Sequence, residues 1–116
     1  MQGIVKFARG SGHVELRPLE NRPLPDHQVR IEVRATGICG SDLHVFHDTI
    51  NYNIRTPVVM GHEFSGVIVE KGAAVGNHIS VWDRVTGEPS IDIGGHCDYC
   101  LSEHYNLCPD RKVMGY

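Results

Sequence analysis

The sequence has no stretch apolar enough to cross a bilayer. Runs such as Val67 to Val69 fall far short of the roughly 20 residues that a helical span needs. The opening MQGIVKFARG has no apolar core of secretory-signal length, so a cytoplasmic location is expected. Positive charge is not in excess: 11 Lys+Arg against 14 Asp+Glu leave a formal charge of -3. With no lysine or arginine run, nucleic acid and membrane surfaces are not expected partners. No internal repeat or low-complexity tract appears. No G-x-G-x-x-G follows a strand pattern, so the chain shows no evident nucleotide-binding unit. A length of 116 residues fits one small domain and little more. Hydrophobic residues at 41% and charged residues at 22% suit a soluble globular domain.

What is present reads mostly as strands. From Gln28 to Ala35, Val29, Ile31, Val33 and Ala35 alternate with polar residues, the pattern of a half-buried strand. His13 to Leu19 alternates more briefly, with Val14 and Leu16 on one face. Ile4 to Ala8 reads as a first strand, closed by a turn at Gly10-Ser11-Gly12. Arg22 to Asp26 is a stiff extended loop, because Pro23 and Pro25 fix their own φ and bias their predecessors. Phe64 to Glu70 is apolar on both faces and reads as a central strand, and Val81 to Thr86 as another. Only Ser41 to His47 looks helical, with Ser41 as N-cap and Leu43, Phe46 and His47 near one side. Many short strands with Gly/Pro turns predict a mostly β fold, a small barrel or sandwich. The last residues, RKVMGY, carry no cap or polar tail and read as interrupted.

Thiols stay reduced in the cytoplasm, so four cysteines argue for metal binding more than for disulfides. Two windows concentrate the chemistry: GICGSDLHVFHD, residues 37 to 48, and GHEFSGVIVEKG, residues 61 to 72. Together they offer Cys39, His62 and Glu63, and thiolate, imidazole and carboxylate are the side-chain ligands that Zn²⁺ accepts. Cys39 alone would read as a small buried residue, and His62 alone as a strand-end histidine bonded to backbone. Placed at the ends of two predicted strands, they form a credible ligand pair. His13, His27, His47, His78 and His104 have no ligand spacing and read as surface residues.

G-H-E-x-x-G-x-x-x-x-x-G, matched by Gly61, His62, Glu63, Gly66 and Gly72, resembles the signature of zinc-dependent medium-chain alcohol dehydrogenases. So do A-T-G-I-C-G-S-D-L-H (35 to 44), V-W-D-R-V (81 to 85), E-P (88 and 89) and Y-N-L-C-P (105 to 109), in order across essentially the whole chain. The flavour is nearest to sorbitol and polyol dehydrogenases, with threonine and butanediol dehydrogenases beside them. The resemblance implies that residues 1–116 form the family's GroES-like catalytic domain, a small β-barrel truncated before a Rossmann domain. A cysteine-containing lobe would lie within it at residues 90–110.

The resemblance also implies roles. Cys39 and His62 would hold a catalytic zinc, with Glu63 as a direct or outer carboxylate ligand and a final ligand from further along a longer chain. Ser41 sits where the family hydrogen-bonds the substrate hydroxyl, and His44 where many members relay the proton to solvent; the plainer readings are a helix cap and a solvent-facing histidine. The implied reaction oxidises a secondary alcohol or polyol to a ketone, through an alkoxide formed on zinc and hydride transfer to NAD(P). The full-length enzyme would be a homo-oligomer, and this chain alone would be inactive. Threonine dehydrogenase-type activity and a non-catalytic metal-binding module of the same fold are the alternatives. A zinc-free quinone oxidoreductase-like relative conflicts with having both Cys39 and His62.

Residues 94 to 108 resemble the family's structural-zinc lobe, C-x-x-C-x-x-C-x7-C. Cys97, Cys100 and Cys108 fill the last three slots, but Gly94 occupies the first. Asp92, His96 or a water could complete the site, and a lobe of free thiols is the plainer reading. Trp82 stands where the family usually has glycine, a loop-packing variation, and Asp83 and Arg84 read as structural polar residues.

Overall fold

The computed structural model describes residues 1–51 and 54–115. In chain order the elements are β1 (Gln2–Lys6), β2 (Val14–Pro18), β3 (Val29–Thr36), α1 (Gly40–His47), β4 (Val58–Val59), β5 (Phe64–Lys71), β6 (Arg84–Thr86), β7 (Ser90–Asp92), α2 (Asp98–Leu101), a 3₁₀ turn at Tyr105–Leu107 and β8 (Lys112–Val113). The strands form two three-stranded sheets, β2-β1-β4 and β3-β5-β6, and a β7-β8 ribbon. All their pairings are antiparallel. The protein is a mostly β domain with short helices and a cysteine cluster.

The strand at Phe64–Lys71 is central, as its apolar faces predict: β5 lies between β3 and β6, with Ile68 only 1% exposed. Val5, Val45, Ile54, Ile68 and Cys108 form the buried apolar set. Lys6 is also fully buried. Its ammonium donates to the carbonyls of Gly10 (2.7 Å), Gly12 (2.9 Å) and Phe46 (3.4 Å). A buried charge needs such partners, and here they tie the Gly10–Gly12 turn to the end of α1.

Several sequence expectations shift. The first strand runs Gln2–Lys6 rather than from Ile4 to Ala8, set by its register with β2 and β4. The face of β3 is half-buried at one end only, since Val33 is 54% exposed and Ala35 is exposed. Likewise Leu16 of β2 is 62% exposed. The strand expected from Val81 begins only at Arg84, because Trp82 adopts φ 80° and Asp83 accepts a hydrogen bond from the Ser80 amide at 2.8 Å. Trp82 therefore does not pack the loop: it is 74% exposed in a conformation that favours glycine.

Ser41 is not the N-cap of α1. Cys39 is, with extended φ -76° and ψ 157°, and its amide donates to the Asp42 carboxylate at 2.8 Å. That carboxylate at the third helical position starts the helix earlier than a serine cap would. The buried side of α1 is Asp42 and Val45, whereas Leu43, Phe46 and His47 are exposed.

Beyond the helix, Asp48 takes the left-handed conformation, φ 57° and ψ 37°. Its carboxylate accepts from the Gly10 amide at 2.6 Å and pairs with Arg9 at 2.7 Å. The Gly10 amide, then the Arg9 hydrogen bond and charge, hold its pKa below the usual carboxylate value against an opposing burial effect. A depressed folded pKa contributes stability above the unfolded value, lost as pH falls through the folded value. Asp48→Asn should therefore lower the melting temperature at neutral pH and flatten the acid limb of the stability profile. Thermal melts from neutral to strongly acid pH test this; equal acid limbs in parent and variant count against it.

Candidate functional site

The pairing of Thr36 with Phe64 brings the chain leaving β3 beside the chain entering β5. Two further bonds fasten them: the Gly37 amide donates to the Glu63 carbonyl at 2.8 Å, and the Thr36 hydroxyl donates to the same oxygen at 3.0 Å. Cys39 follows one strand, and His62 and Glu63 precede the other. One ligand atom from each of these residues lies within 4.8 Å of the others. His62 is buried, Cys39 half-buried and Glu63 exposed, so the group opens to one side.

Ser41, on the first turn of α1, places its Oγ 3.2 Å from His62 Nε2. On the other edge of the ring, Asp42 Oδ1 lies 3.6 Å from Nδ1, with both side chains under a tenth exposed. One carboxylate oxygen thus starts the helix while the other faces the imidazole. A carboxylate behind a ligating histidine fixes ring orientation and raises ligand basicity. Asp42 is a site residue that the metal-ligand spacing does not single out. Its position three residues after Cys39, that of an acidic capping residue, was the available signal. His44 is placed differently: it is exposed, and its Nδ1 lies 3.0 Å from Thr49 Oγ1, outside the Cys39–His62–Glu63 group. A thiolate, an imidazole and a carboxylate converging with one side open suit a catalytic zinc.

The second cluster joins Cys97, Cys100 and Cys108, whose sulfurs lie within 4.8 Å of one another. Cys97 is the N-cap of α2 and Cys100 lies within it, with their sulfurs 3.5 Å apart. The Gly94 amide points at Cys108 Sγ from 3.4 Å. That amide is the main cause holding the Cys108 thiol below its ordinary pKa, against burial, while burial first and then its sulfur neighbours push Cys100 up. The side of Gly94 is not open space. A Cβ there would lie 2.9 Å from Asp110 Oδ2 and 3.2 Å from His96 Cε1. Asp92, one of the expected completing ligands, is instead paired with Lys112 at 2.6 Å. The five histidines read as surface residues are all exposed.

The alcohol dehydrogenase GroES-like domain family matches residues 25–116. The chain is 44% identical over 115 residues to a sorbitol dehydrogenase of Halalkalibacterium halodurans, covering 99% of this chain and 33% of that protein. It is 47% identical over 115 residues to a D-arabitol-phosphate dehydrogenase of Enterococcus avium, covering 99% and 32%. An alcohol dehydrogenase from Escherichia coli CFT073, solved with NADH, superposes with a TM-score of 0.84 at 31% identity, covering 99% and 32%. The chain belongs to the GroES-like domain family of the zinc medium-chain alcohol dehydrogenases. It spans about a third of the length of the curated relatives it matches. No helix among the described residues is long and apolar enough to cross a membrane.

Proposed function

We propose that this chain is the catalytic-domain portion of a zinc-dependent dehydrogenase that oxidises a secondary alcohol or polyol to a ketone with NAD(P). Residues 1–116 form its GroES-like domain, and residues 90–110 the metal lobe. The observation that carries the reading is the convergence of Cys39, His62 and Glu63, with Ser41 Oγ 3.2 Å from the His62 ring. Zinc, when bound, would supply Lewis acidity without redox chemistry of its own, and NAD(P) the redox capacity.

The chain's own residues do the rest. Cys39 and His62 hold the metal, with Glu63 as a direct or outer carboxylate, and Asp42 orients the imidazole. Ser41 Oγ, beside the candidate ligand histidine, would hydrogen-bond the substrate hydroxyl and accept its proton while releasing its own toward His44. His44 lies three residues on, a spacing that makes helix side chains neighbours, and its exposed ring passes the proton to solvent. Polyol-type substrates are supported by the sorbitol and D-arabitol-phosphate dehydrogenases among the relatives.

A chimera tests the reading. This chain would replace the matching third of the Halalkalibacterium halodurans sorbitol dehydrogenase, with polyol-dependent reduction of the nicotinamide cofactor as the readout. Activity is expected. A folded, zinc-loaded chimera with no turnover would favour a non-catalytic metal-binding module. In the active chimera, Ser41→Ala should cut the rate by about a hundredfold, the typical contribution of a positioned proton-transfer group, and leave zinc content unchanged. A serine that only packs the helix would leave the rate near the parent's.

A further inference from the structure

The cysteine lobe offers three sulfurs, whereas a closed structural zinc site takes four ligands. The missing donor belongs at position 94, and Gly94 still occupies that place in space, its amide directed at Cys108 Sγ from 3.4 Å. A side chain at 94 would project into volume held by the carboxylate of Asp110, with Oδ2 2.9 Å and Cβ 3.4 Å from a Cβ built there. The glycine has thus left room for a donor that arrives from the other end of the lobe, two residues beyond Cys108.

The other local donors are engaged elsewhere. His96 points Nδ1 at the Gly94 carbonyl from 2.6 Å, and its Nε2 stands 4.0 Å from Asp110 Oδ2. Asp92 is held by Lys112 at 2.6 Å. Among the described residues, by contrast, the Asp110 carboxylate meets that distant imidazole alone, and its side chain is 62% exposed. We infer that Asp110 is the fourth ligand of a Cys97–Cys100–Cys108 zinc site, its carboxylate replacing the thiolate that Gly94 cannot supply. This rests on the reading of residues 90–110 as a metal lobe. Among the described residues the carboxylate is not within the 4.8 Å sulfur group, so ligation requires the Asp110 side chain to swing inward. His96 then lies beside the ligating carboxylate, where its ring can hold the second oxygen.

The test reads each cysteine separately. Zinc protection of Cys97, Cys100 and Cys108 from alkylation, mapped by peptide mass spectrometry against rising chelator, reports the lobe, while Cys39 reports the other site in the same sample. Asp110→Ala should weaken lobe protection by at least about tenfold, the lower end of losses seen even for outer-sphere partners, with Cys39 protection unchanged. His96→Ala should weaken it less. Gly94→Cys combined with Asp110→Ala should restore protection, and its cobalt-substituted lobe should show a stronger thiolate charge-transfer band, four sulfurs replacing three. That rescue separates lost ligation from a misfolded lobe. Protection in Asp110→Ala equal to the parent's overturns the inference alone. A parent lobe that zinc does not protect overturns the metal-lobe reading with it.

Discussion

Cys39→Ala and His62→Ala are expected to empty the catalytic metal site and take turnover to background in the chimeric enzyme. Each removes a donor from a group of three that could hold a metal, and the proposed chemistry depends on the Lewis acid that group would hold. The two variants should differ in stability. Cys39 caps α1 mainly through its backbone, whose amide bonds to Asp42 at 2.8 Å, so alanine there keeps that bond and loses at most a weak sulfur contact to the Asp42 amide. His62 is 7% exposed and faces Asp42 Oδ1, which is itself buried. Its loss opens a cavity beside a buried carboxylate, a change that is costly to stability. Cys39→Ala should therefore melt close to the parent when both are metal-free, and His62→Ala well below it. Zinc content after chelator dialysis, turnover and apo-state melts check the set together. A Cys39→Ala protein with parental zinc and parental rate would put the site elsewhere.

The convergence of the candidate site was legible because Cys39, His62 and Glu63 are of metal-ligating type and stand at the ends of strands. Alternation revealed the segment from Gln28 to Ala35, double-faced apolarity revealed the one from Phe64 to Glu70, and their pairing brings the two chemical windows together. The side that α1 buries was not legible. Residue type favours Leu43 and Phe46, but the helix buries Asp42, which faces His62, and Val45. Strands β4, β7 and β8 are two or three residues long, too short for periodicity to show. They exist because a longer partner or a ribbon neighbour satisfies their backbone groups. Asp110 was invisible for another reason: nothing in its local sequence marks it, and only the fold carries it to the side of Gly94.

The glycines of G-H-E-x-x-G-x-x-x-x-x-G turn out to serve two different physical needs, which sets up the second large effect. Gly61 has φ 101°, and a Cβ there would meet only Thr36 Oγ1 at 3.8 Å, so alanine suffers from backbone strain rather than collision. At Gly66 a Cβ would stand 2.5 Å from the Glu32 carbonyl oxygen, in the neighbouring strand. At Gly72 it would collide with the Asp26 carbonyl oxygen and approach the Pro25 oxygen to 2.5 Å. That loop cannot step aside cheaply. The Gly72 amide donates to Gln28 at 2.9 Å, the Ala74 amide donates to Asp26 at 2.8 Å, and Pro25 fixes its own φ. Overpacking typically costs about 1–3 kcal/mol where side chains can adjust. Against pinned backbone, Gly72→Ala should reach the top of that range, about 3 kcal/mol, a large share of the roughly 5–15 kcal/mol that holds a small domain folded. Gly40→Ala is the matched control: nothing lies within 4 Å of its Cβ position and it begins α1, so alanine there should be neutral or stabilising by up to about 1 kcal/mol. Urea unfolding of the chain with each substitution decides the point. If Gly72→Ala unfolds at the parent's midpoint, the Pro25–Asp26 loop yields freely, and close approach is not why glycine stands there.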